Sequence, residues 1–96
     1  MKSSPLMEVE VSTRLAAVPH WKEQGREIVR TFEFRDFRAA LAFVNKVGDL
    51  AESKGHHPDI DIRWNKVKLA LTTHDAGGLT SKDFDLAAEI DQAAGA

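Results

Sequence analysis

The clearest alternation in the chain runs from Glu27 to Arg35. Ile28, Arg30, Phe32 and Phe34 fall on one side of it, Val29, Thr31, Glu33 and Arg35 on the other. A period of two, rich in β-branched and aromatic residues, predicts a strand with one largely apolar face. Asp36 then supplies an N-cap, and Phe37, Ala40, Leu41, Val44, Val47 and Ala51 recur at three and four residues. That is the stripe of a long helix laid on a core. Lys54 and Gly55 should end it, a basic last turn followed by a residue that tolerates left-handed backbone. Two shorter alternating runs follow. Asp59 to Trp64 carries Ile60, Ile62 and Trp64 on one face, and Lys66 to Thr72 carries Val67, Leu69 and Leu71. With Asn65 between them they predict an antiparallel hairpin, with Trp64 on the core side.

Asp75 to Gly78 reads as a loop. Thr80 is a good N-cap, Asp83 completes a capping box with Asp in the usual Glu position, and Leu79 can staple onto Phe84. Phe84, Ala87, Ala88 and Ile90 mark the last helix. At the other end, residues 1–7 read as a loose tail and Val9 to Val18 as a short amphipathic helix closed before Pro19. Trp21 and Gly25 fall in a loop. The order helix, strand, long helix, strand, strand, helix predicts one α+β domain over residues 1–96. Its three strands form a single-layer antiparallel sheet with the helices packed on one face.

Size changes that picture in one respect. A 96-residue chain is marginally stable unless a partner chain extends its core. The absence of cysteine excludes a disulfide scaffold, a Cys-rich zinc site and thiol catalysis, and fits a reducing compartment. With no signal peptide and no run long enough to span a bilayer, the expectation is a cytoplasmic protein without membrane contact. Thirteen basic and fifteen acidic residues, well mixed, give a net charge of −2. That is not the basic stripe of a nucleic-acid binder.

Candidate chemistry concentrates between Gly55 and Asp83, which holds three of the four histidines. His56 and His57 precede Pro58, which keeps His57 out of the α region and makes an extended corner. His74 closes the second alternating run. Neighbouring side chains on an extended chain point apart, and no HxH or HExxH spacing is present, so a metal site is disfavoured. Gly77-Gly78 is no phosphate-binding fingerprint, and neither Ser53 nor Ser81 has triad spacing. Imidazole titrates near neutrality, so paired histidines suit metal-free proton transfer. The blander alternative has one His packing the corner and the others solvated. Asp83 either caps its helix only or also accepts a hydrogen bond from His74. Trp21, in a loop after Pro19, is a better wall for a flat ligand than Trp64, and His20 reads as exposed.

His56-His57-Pro58, Trp64-Asn65-Lys66-Val67, Thr73-His74, Gly78-Leu79-Thr80 and Asp83 together resemble the pterin-4a-carbinolamine dehydratases. The likeness extends upstream through Phe34-x-Asp36-Phe37 and Trp21 to about Leu15. The resemblance implies an antiparallel sheet with helices on one side, in a homodimer or homotetramer. It implies dehydration of 4a-hydroxytetrahydropterin to quinonoid dihydropterin, coupled to an aromatic amino acid hydroxylase, without metal or organic cofactor. His56, His57 and His74 are the implied catalytic residues, with His56 and His74 as the acid–base pair, and Trp21, Pro58 and Asp83 support the site. Trp64 stands where many members carry Tyr. Two other readings remain: a protein-interaction or coactivator-type module, and a pterin-binding protein linked to molybdopterin metabolism.

Overall fold

The computed structural model describes residues 4–95. The elements are α1 (Glu8–Leu15), β1 (Lys22–Gln24), β2 (Glu27–Glu33), α2 (Phe37–Lys54), β3 (Asp59–Arg63), β4 (Lys66–Leu71), a 3-10 turn at His74–Ala76, and α3 (Ser81–Ala93). The strands make one antiparallel sheet in the order β1-β2-β4-β3. Helices α2 and α3 pack on one face, as the periodicities predict.

Register explains which face that is. Ile28 lies opposite Leu71, Arg30 opposite Leu69 and Phe32 opposite Val67. All of these except Arg30 are buried, against Ala40, Phe43, Val47 and Ala51 of α2 and Phe84, Leu86, Ala87 and Ile90 of α3. Phe32 and Phe43 meet with ring centroids 4.7 Å apart. Burying each Leu, Ile or Phe contributes roughly 1.5–3 kcal/mol, so the α2–sheet–α3 contact carries most of the stability. Leu79 and Phe84, the expected staple, both lie in this cluster.

Three expectations need correction. The sheet has four strands, not three, because Lys22–Gln24 pairs with Glu27–Ile28–Val29 across a two-residue turn. Gly25 opens that turn at φ 60°, the backbone a type II′ hairpin needs at its first central residue. Trp64 is not in the core: it is 68% exposed, at φ 52° in the β3–β4 turn. Ile60 and Ile62 do lie on the helix side, opposite Leu69 and Val67, yet both stay exposed because β3 is an edge strand with no helix above it. Trp21 is not an open ligand wall: it is 2% exposed, edge-on to Phe32 and held by Asp91. Of the tail expected at residues 1–7, residues 1–3 lie outside the described residues. Leu6 is partly buried and donates its N–H to the Leu79 carbonyl.

Candidate active site

Each imidazole is delivered by a local feature of the chain. The end of α2 closes on Gly55, at φ 60° and ψ 31°, with the Gly55 N–H on Glu52 O and the His56 N–H on Ala51 O. This closure turns the chain sharply and points it toward the start of α3. His57 is exposed, with Nε2 2.5 Å from Glu52 Oε2 one turn back on α2. His74 is carried by a small closed loop: the Thr73 N–H donates to Gly78 O, and the Ala76 and Gly78 N–H groups both donate to Thr73 O. It is exposed, and its ring makes no hydrogen bond among the described residues.

Beneath them Asp83 is fully buried, at 0% exposure. Its Oδ1 lies 2.6 Å from His56 Nε2, and its Oδ2 accepts from the Thr80 N–H and the Thr73 hydroxyl, both at 2.9 Å. Asp83 therefore caps α3, as expected, and also holds a histidine, but that histidine is His56 and not His74. Asp83 Oδ2 already accepts from two donors, so the carboxylate serves as acceptor here too and the proton in this contact lies on Nε2. Nδ1 is then the nitrogen of neutral His56 left to accept a proton.

Two depressions meet at His74. The larger, about 510 Å3, lies beside the β1–β2 turn with Gln24, Arg26 and Glu27, and holds one imidazole. The smaller, about 240 Å3, is lined by Gly55, His56, His57, Thr72, Thr73, His74, Asp75 and Lys82. It brings all three histidines to one cleft and is the candidate site. Trp21 lines neither. Pro58, directly after the cleft residues, is half-buried and sets the corner. Residue-level reasoning missed Thr73, whose buried hydroxyl joins the Asp83 network, and Lys82, a cation at the rim. The Thr-His pairing was the available signal for the first. Among the described residues no group of three or more His, Asp or Glu is arranged to hold a metal ion, and no helix is long and apolar enough to cross a membrane.

The model of the family described as pterin 4 alpha carbinolamine dehydratase matches residues 4–93, so the likeness begins before α1. A protein of Chloroflexus aurantiacus, provisionally named a pterin-4-alpha-carbinolamine dehydratase, is 61% identical over 90 residues, covering 94% of this chain and 97% of its own. One of Acidobacterium capsulatum with the same provisional name is 64% identical over 81 residues, or 84% and 88% of the two chains. Among solved structures, a transcriptional coactivator/pterin dehydratase from Brucella melitensis superposes with TM-score 0.91 at 31% identity, covering 95% of this chain and 99% of that one. A pterin dehydratase-like protein identified as a RuBisCO assembly factor in the alpha-carboxysome superposes with TM-score 0.69 at 28% identity, covering 79% and 90%. With a family model matched over residues 4–93 and relatives about 60% identical over nearly the whole length, this chain belongs to the pterin 4 alpha carbinolamine dehydratase family.

Proposed function

We propose that this protein dehydrates 4a-hydroxytetrahydropterin by histidine acid–base catalysis. The observation that carries the reading is the convergence of His56, His57 and His74 on one cleft with a buried carboxylate behind His56. In the reaction N5 loses its proton, the C4a–O bond breaks, and the hydroxyl takes up a proton to leave as water. The electrons of the N5–H bond become the C4a=N5 bond of the quinonoid product. His56 Nδ1 accepts the N5 proton, and Asp83 faces the positive charge the ring then carries. His74 donates to the departing hydroxyl, and solvent at the open cleft resets both rings. His57, steadied by Glu52, orients the pterin, and Pro58 and Trp21 support the surrounding chain. The quinonoid product requires a hydride-donating reductase next, which fits a place in tetrahydropterin recycling after an aromatic hydroxylase.

The test is the decay of 4a-hydroxytetrahydropterin with and without protein. Acceleration by the wild type, with His74→Ala and His56→Ala each losing roughly 100-fold in kcat while keeping wild-type circular dichroism, is the expected result. A decay rate that the wild-type protein leaves untouched would sink the reading.

A second copy of this chain is the partner that the exposed apolar face fits. Ile60, Ile62 and Trp64 are exposed on and just after β3, whose outer edge is unpaired, and Phe37 and Leu41 are exposed on the first turns of α2. A two-fold axis through the Ile62 position would pair β3 with its copy antiparallel. Ile62 would then meet Ile62, Ile60 meet Trp64, and Asp61 meet Arg63 twice. Shifting the axis to Asp61 would set two aspartates face to face, which cross-strand pairing disfavours. A transcriptional coactivator/pterin dehydratase and a RuBisCO assembly factor are among the solved relatives, which makes an unrelated protein the second reading for the occupant of this face.

A further inference from the structure

The hydrogen bonds around Asp83 can be directed one by one. The Thr73 hydroxyl has a single proton, and its donation to Asp83 Oδ2 at 2.9 Å uses it. The 2.7 Å contact between the two threonine hydroxyls is therefore a donation from Thr80 to Thr73. Thr80 Oγ1 keeps a lone pair for the Lys82 N–H at 3.3 Å. The chain of donors thus runs from the α3 backbone through Thr80 and Thr73 into the carboxylate, whose other oxygen takes His56 Nε2–H. All three side chains are buried, so water does not substitute for any member.

Thr73 also has a second attachment. Its backbone N–H and C=O close the loop that carries His74, through Gly78 and Ala76. One residue thereby touches both imidazole supports: its side chain fixes the carboxylate that orients His56, and its main chain anchors the turn that presents His74. We propose that Thr73 is a positioning residue that sets His56 against His74, through its hydroxyl on Asp83 and its main-chain bridge to Gly78. The kinetic part of this inference rests on the dehydratase reading above; the structural part does not.

The test compares Thr73→Val, which keeps the shape and removes the hydroxyl, with Thr73→Ser, which keeps the hydroxyl. Thr73→Val is expected to lower kcat roughly 10- to 100-fold, the range a small misplacement of a catalytic group produces. KM for the reduced pterin should stay within about twofold, because orientation and not ground-state binding is lost. Thr73→Ser should restore kcat. Proton–nitrogen NMR of the imidazoles supplies a readout independent of turnover: the His56 Nε2–H signal, protected in the wild type and in Thr73→Ser, exchanges with solvent in Thr73→Val. If Thr73→Val does not fold, Thr73→Ala carries the same expectations. A Ser variant as slow as Val, or a Val variant keeping both kcat and the protected His56 proton, overturns the proposal. Were the wild type itself inactive on the carbinolamine, the dehydratase reading would fail. The His56 signal would then decide the Thr73 inference by itself, its survival in Thr73→Val overturning the inference and its loss supporting it.

Discussion

Arg30 is the residue whose position looks least sensible until its partners are known. It lies on the apolar side of β2, opposite Leu69, with its guanidinium 4.1 Å from the Phe32 ring centroid. Asp91 on α3 makes this tenable, accepting from Arg30 Nη1 at 2.6 Å and from Trp21 Nε1 at 2.9 Å with the same oxygen. One carboxylate thus joins the last helix to a strand and to the chain entering β1. Asp91→Ala leaves a mostly buried cation and an indole N–H without their acceptor, and is expected to cost about 3 kcal/mol. A urea midpoint would measure it. Activity of the folded fraction should be unchanged, since Asp91 lines neither depression at His74. Trp21 could not have been assigned to this role locally, because its acceptor is 70 positions away.

Among elements, α1 makes the most conditional contact. Slight desolvation, the nearby Glu8 charge and the Glu8 side-chain contact together raise the otherwise exposed Glu23 carboxyl above its ordinary range. A carboxyl with a raised folded pKa holds its proton more tightly in the native state, so its contribution is complete below the unfolded pKa of about 4.5. It is lost as pH climbs through the folded value. Glu8→Gln should therefore flatten the decline in melting temperature as pH rises above about 4.5, with little change below. The elements legible beforehand were those whose burial has a period. β4 and α2 each bury one side, β2 buries Ile28 and Phe32 on its helix side, and Thr80 with Asp83 announces α3. β1 was invisible because all three of its residues are exposed, leaving no alternation to read. β3 misled in the opposite sense: its alternation is real, but at a sheet edge no helix covers the apolar side. The pairing of Asp83 with His56 depends on how the end of α2 approaches the start of α3, a tertiary fact that neither segment encodes alone.

At the scale of the molecule, the exposed apolar face is the largest departure from a self-sufficient domain. Trp64 combines a left-handed backbone, which is unfavourable for a bulky side chain, with wide exposure. A second copy docked on β3 would give that side chain a contact. Light scattering is expected to find at least a dimer, and Ile62→Asp to yield monomers with the secondary structure intact. A monomeric wild type would instead leave the face to an unrelated protein. The cleft opens past the last turn of α2, whereas Phe37, Leu41 and the Trp64 turn, tied to Phe34 by the Asn65 amide, gather near its first. Eighteen helical residues, roughly 27 Å, separate the two ends. A substitution in the cleft therefore need not disturb the Phe37 and Trp64 end of the apolar face, which the length of α2 holds away from the chemistry.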